Sequence, residues 1–138
     1  MADQAKLMRQ LGEVWETGRV DEVDDLLPED VTYHLAGFPD MDRAGLKQFM
    51  AGFHRSFPDF SVTVEEDLVD GERSAHRWHC SATFSGEGGL LPGQPTGQRT
   101  QATGTHVFHI RDGRPAEIWH FGDWLGWLQG AGVIPPLG

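Results

Sequence analysis

Cysteine is nearly absent from this chain: Cys80 is the only one among 138 residues. That excludes an internal disulfide and any cysteine-based zinc cluster. Positive charge is scarce as well. Eleven Lys and Arg face 21 Asp and Glu, giving a formal net charge of -10. A surface of that sign repels phosphate backbones and anionic lipid, so nucleic acid and membranes are poor partners. No apolar run approaches the ~20 residues needed to span a bilayer, and the opening MADQAKLMRQ lacks the apolar stretch of a signal peptide. A soluble cytoplasmic protein is therefore expected. Several motifs are missing too. There is no GxGxxG after a strand, no Walker loop, no GxSxG and no HExxH.

What is present suits one globular domain spanning residues 1–138. Hydrophobic residues make up 38 % and charged residues 23 %, which argues against disorder. A chain of this length buries roughly 70 % of its unfolded surface and folds without covalent staples. The aromatic balance is uneven, with five Trp and eight Phe beside a single Tyr. That much apolar aromatic surface has to fill a core or line a cavity.

Leu7, Met8, Leu11 and Trp15 recur at helical spacing, and Gly18 ends that helix at Thr17. A short second helix over Val20–Leu27 stops at Pro28. Val31, Tyr33 and Leu35 alternate as in a strand. Asp42 is positioned to cap a helix carrying Leu46, Phe49, Met50, Phe53 and Phe57. The rest reads as strands, over 60–67, 73–84, 99–111 and 114–121. Asp70-Gly71 and Asp112-Gly113 mark hairpin turns. A last helix runs from Asp123 to Gln129. Helices followed by an antiparallel meander predict an α+β fold: a cone-shaped curved antiparallel sheet closed by N-terminal helices around one apolar pocket.

Cys80 has no adjacent helix N-terminus or evident His partner and reads as an inert buried thiol. Among the seven histidines, His76 and His79 are an odd number apart, as are His106 and His109. Neither pair can ligate one metal from the same strand face, so no metal site is assigned. A two-residue turn at Asp112-Gly113 pairs Arg111 with Arg114, His106 with Trp119 and Gly104 with Phe121. A bulge would put His109 in place of His106, and the sequence leaves both registers open. Asp123 stands between the last strand and the last helix. It is either a helix cap or a carboxylate at the mouth of an aromatic cavity, working as a general acid/base.

Three segments together carry a family resemblance: Phe53–Phe60, Gly104–Gly113 and Glu117–Gln129, the last with a Trp four residues before Asp123. On these the chain resembles the SnoaL-like polyketide cyclases (ester cyclases), in the fold group that includes nuclear transport factor 2, ketosteroid isomerase and scytalone dehydratase. The resemblance implies an α+β barrel with one deep apolar pocket. It also implies intramolecular aldol condensation without metal or organic cofactor. Asp123 matches the acid/base carboxylate, and His106 falls where ketosteroid isomerase has its oxyanion donor. Trp119, His34, Trp15, Trp78 and Phe121 are expected to line the pocket of a small apolar or aromatic ligand. His109 stands where the family often has Arg. The competing readings are a non-catalytic small-molecule binding protein and a related isomerase, dehydratase or hydrolase. A homodimer is expected, through a sheet face carrying Val62, Val64, Val107, Ile118 and Trp127.

Overall fold

Residues 3–137 are described by a computed structural model; Met1, Ala2 and Gly138, the ends of the expected domain span, lie outside them. The chain begins with α1 (Gln4–Thr17), capped by the Asp3 side chain, which accepts from the Lys6 N–H. Gly18 ends it in the left-handed region at φ 73°, which glycine adopts without a Cβ penalty. A single 3-10 turn (Val20–Glu22) and α2 (Val23–Leu26) follow. Leu27 then turns extended before Pro28. After β1 (Thr32–Leu35) comes α3 (Arg43–Ser56), whose Asp42 cap accepts from the Gly45 N–H. Leu46, Met50 and Phe53 form its buried stripe. The meander is β2 (Ser61–Asp70), β3 (Arg73–Thr83), β4 (Arg99–Arg111) and β5 (Arg114–Gly122), and α4 (Trp124–Gly130) closes the chain.

The architecture is α+β, with one curved sheet in the order β1-β5-β4-β3-β2. Two expectations are corrected here. The sheet is mixed, because β1 pairs parallel with β5. β1 is separated from its partner by α3 and the whole meander, so no local turn signal announces the pairing. The sheet is also not closed: β1 and β2 are its edge strands, and the molecule is not a barrel.

A third correction concerns the β4–β5 register. Arg111 opposes Arg114 across Asp112 and Gly113, both at positive φ, as a two-residue turn requires. The ladder then slips between His109 and Ile110, so that His109 pairs with Glu117 and His106 with His120. Pro115 sits at the slip. It has no N–H to give a ladder flanked on both sides, and one residue is left over beside it. The bulge turns β5 and leaves β4 as expected. His106 stays on the inner face and His109 on the outer, while His120 replaces Trp119 inside.

The core lies between the helices and the inner face. Trp15, Tyr33, Phe53, Phe57, Phe108 and Ile118 are among its buried members. Ile118 and Trp127 are buried and Val62 lines the cavity, so these three do not form the outward patch expected of a dimer face. No helix among the described residues is long and apolar enough to cross a membrane.

Candidate active site

One cavity of about 50 Å³ opens between α1, α3, α4 and the inner face of β2–β5. Its walls are largely apolar, from Met8, Trp15, Phe53, Phe60, Trp78, Trp124 and Trp127. Four ionisable side chains reach it: Cys80, His106, His120 and Asp123.

The histidines belong to a buried chain of hydrogen bonds. The Trp78 Nε1–H donates to His106 Nδ1 at 2.7 Å. His106 Nε2 lies 2.9 Å from the Tyr33 hydroxyl, and the same hydroxyl lies 2.7 Å from His120 Nδ1. The imidazoles overlap, with ring centroids 4.2 Å apart. Burial drives the His106 pKa well below its ordinary value, helped by His120 and His76. Burial brings His120 down to about 3 and holds the Tyr33 phenol well above its ordinary value. Cys80 is pushed up to about 12, again by burial, and is an inert thiol at neutral pH.

Asp123 stands at the rim, where β5 becomes α4. Its Oδ1 accepts from the Gly126 N–H at 2.9 Å, so the helix-cap reading holds. Asp123 also lines the cavity. One carboxylate thus both caps α4 and reaches the cavity mouth. Gly126 makes this possible, because a Cβ there would collide with the carboxylate.

The structure thus brings Asp123, His106, Trp15 and Trp78 together. It places Trp119, His34 and Phe121 elsewhere, on the outer face: the β5 bulge turns out Trp119 and Phe121, and His34 alternates with the buried Tyr33 and Leu35 of β1. Trp119 stacks on His34 with centroids 5.0 Å apart and abuts His109. His34 is bound at both ring nitrogens, to Asp40 and Glu117. Phe121 is 51 % exposed. Residues missed from the sequence are His120 and Tyr33. The signals for them were Pro115, which displaces the register, and the inward position of the only tyrosine.

A second buried group runs from the Ser74 hydroxyl to His76 Nε2 and from His76 Nδ1 to Asp67, each at 2.7 Å. Arg9 pairs with Asp67 from outside. The order matches a nucleophile–base–carboxylate triad. However, Ser74 and His76 are buried and neither lines the cavity, so the group ties β2 to β3. No group of three or more His, Cys, Asp or Glu able to hold a metal ion occurs among the described residues.

The chain is similar in sequence and fold to known proteins. The family model described as "SnoaL-like polyketide cyclase" matches residues 5–130. The solved structure of IdmH from Streptomyces antibioticus, a putative polyketide cyclase, is 26 % identical with a TM-score of 0.80. The match covers 95 % of this chain and 99 % of that one. AclR from Streptomyces galilaeus, a putative hydroxylase, is similar in fold at 21 % identity and TM-score 0.82, covering 99 % and 85 % of the two chains. A SnoaL-like polyketide cyclase structure from Jannaschia sp. CCS1 overlays with TM-score 0.82 at 18 % identity, covering 96 % and 92 %. No curated protein matches the sequence. On the family match across nearly its whole length, the chain belongs to the SnoaL-like polyketide cyclases.

Proposed function

We propose that this protein closes a ring on a small apolar or aromatic polyketide-type ester by intramolecular aldol condensation. Asp123 is the acid/base and His106 the orienting group. One observation carries the reading: of the four ionisable groups at the cavity, only Asp123 is available as a base. Cys80 keeps its proton, both nitrogens of His106 are engaged, and His120 has Nδ1 engaged by Tyr33.

Asp123 takes a proton from the carbon between two carbonyls, and the enolate carbon attacks the receiving carbonyl. The new alkoxide takes a proton back from the Asp123 carboxylic acid. One C–C bond forms, the carboxylate is regenerated, and nothing is oxidised or reduced. The Asp123 Oδ1 is fixed by the Gly126 N–H, which holds the base in position for both transfers. Trp15 and Trp78 provide walls that keep the chain folded. The indole N–H groups of Trp15, Trp124 and Trp127 lack hydrogen-bond partners, a feature suited to a ligand rich in oxygen.

The capping bond also supports a second reading, a binding protein in which Asp123 only starts α4. Turnover of aromatic polyketide esters by the wild type and Asp123→Asn separates the two. Product formed by the wild type and lost in the variant supports the cyclase. Ligand bound unchanged by both supports the binding module.

We further propose a homodimer through the outer sheet face. Leu68, Ala75, Val107, Trp119 and His34 form one cross-strand row there, and Leu68 is 60 % exposed. Sedimentation at micromolar concentration tests it, and a monomeric mass overturns it.

A further inference from the structure

The buried chain of four side chains has a direction, and the direction defines what the cavity offers a ligand. We infer that Trp78, His106 and Tyr33 form a one-way hydrogen-bond relay that holds His120 as a neutral Nε2–H donor, which binds a ligand carbonyl oxygen in the cavity. This adds to the cyclase reading a second group that touches the ligand, and it rests on that reading only for the donor's part in catalysis.

The relay starts at Trp78. An indole nitrogen donates and never accepts, so His106 Nδ1 carries the lone pair. A neutral His106 then has its proton on Nε2 and donates it to the Tyr33 oxygen. The Tyr33 hydroxyl has one proton, and its remaining neighbour is His120 Nδ1. That nitrogen must accept, so the His120 proton is on Nε2. Reversing the relay would leave His106 with lone pairs on both nitrogens, an imidazolate anion in an apolar interior. Protonating His120 would aim an N–H at the Tyr33 oxygen and strand the phenol proton without an acceptor.

His120 Nε2 has no hydrogen-bond partner among the described residues and sits beside Gly122, another cavity-lining residue. A Cβ on Gly122 would stand 3.6 Å from it. Glycine therefore leaves the donor uncovered. A fixed N–H in an apolar wall is worth more than one in water, because it needs no reorganisation when an oxygen gains negative charge. His120 cannot remove a proton, since its only lone pair is engaged by Tyr33. Asp123 and His120 then have separate tasks, one moving the proton and one holding the oxygen. Trp78, His106 and Tyr33 are positioning residues.

The first test is nitrogen-15 NMR of the imidazoles in the full chain at pH 7. Wild type is expected to show both His106 and His120 protonated at Nε2 with a bare Nδ1. In Tyr33→Phe, His120 is expected to lose its single tautomer while His106 keeps its own. An Nδ1–H tautomer at His120 in the wild type, or no change on Tyr33→Phe, overturns the relay. The second test is binding of ethyl benzoylacetate, with propylbenzene as a probe without oxygen. His120→Phe is expected to bind the ester roughly tenfold more weakly, with Gln at the same position restoring affinity and propylbenzene binding unchanged. Equal ester binding by all three proteins, or none by the wild type, overturns the ligand role. Neither measurement uses turnover, so a failure of the Asp123 assignment is read separately, from Asp123→Asn activity.

Discussion

Gly104 and Gly122 face each other across β4 and β5, and the Trp78 ring lies over the pair. A Cβ at Gly104 would collide with the far edge of that indole, and one at Gly122 would stand 3.5 Å from it. Two glycines in central strands are an unfavourable local choice. Here they form a slot, and the slot sets the angle at which Trp78 reaches His106.

Gly104→Ala is accordingly expected to force the indole out of its slot. Overpacking of this kind costs about 1–3 kcal/mol. Urea unfolding monitored by tryptophan fluorescence should show that loss, together with a weakened Trp78–His106 hydrogen bond in the indole N–H spectrum. An alanine variant as stable as the wild type would mean that the slot has room to spare.

The helices, the Asp42 cap and all four meander strands were legible in the sequence, because caps, hairpin turns and alternation are local signals. Asp42, Gly18 and Asp112-Gly113 each act where the residue type predicts. The partner of β1 was not legible, since a parallel pairing between residues 85 positions apart leaves no local trace. The site was half legible. Asp123, His106, Trp15 and Trp78 reach the cavity, whereas Trp119 and Phe121 were assigned inward by a ladder that assumed no bulge, and His34 by the family resemblance against the alternation of its own strand. A single extra residue, Ala116 beside Pro115, inverts every β5 side chain beyond it. Aromatic surplus alone did not separate cavity wall from outer face.

Asp123 holds the start of α4 and faces the cavity, so its two roles separate by substitution. Asn caps nearly as well as Asp. Asp123→Asn should therefore stay within about 0.5 kcal/mol of wild-type stability, while aldol turnover falls by about 10²–10⁴. Gly126→Ala provides the converse. Alanine favours the helix by about 1 kcal/mol, yet its Cβ displaces the carboxylate. Turnover is expected to drop with little change in melting temperature. Full activity in Gly126→Ala would show that the carboxylate need not be held.

Acid should unfold this protein earlier than its carboxylates alone require. His76, His106 and His120 all have folded pKa values below the ordinary one of about 6.5, each chiefly through burial. The unfolded chain takes up protons there as pH falls below about 6.5, and the folded chain does not. Stability is present above that pH and declines below it, with a limiting slope of about 4 kcal/mol per pH unit for three histidines. Asp67 adds a later loss. Burial alone would raise its pKa, but hydrogen bonds from His76 and Arg9 outweigh that and lower it. Its contribution disappears as pH falls below about 3.8 through the lowered folded value. Urea midpoints between pH 7 and 4.5 test this, and a flat profile would contradict buried neutral imidazoles.

His34 should titrate in the opposite sense, on the opposite face. Glu117 bonds its Nε2 at 2.7 Å and Asp40 its Nδ1 at 2.8 Å. The Glu117 bond is the largest influence on its pKa; burial works against it, and the net shift is upward. A folded pKa above the unfolded one adds stability that is fully present below about pH 6.5. That contribution is lost as pH rises through the folded value. His34→Gln should thus weaken the protein more at pH 6 than at pH 9, whereas the buried histidines impose the reverse trend on the wild type. Ligand affinity should not change, because the Trp119 ring stacked on His34 faces away from the cavity. Proton NMR of the His34 ring reads the pKa directly, and a value at or below 6.5 would show that the two carboxylates do not hold the charge.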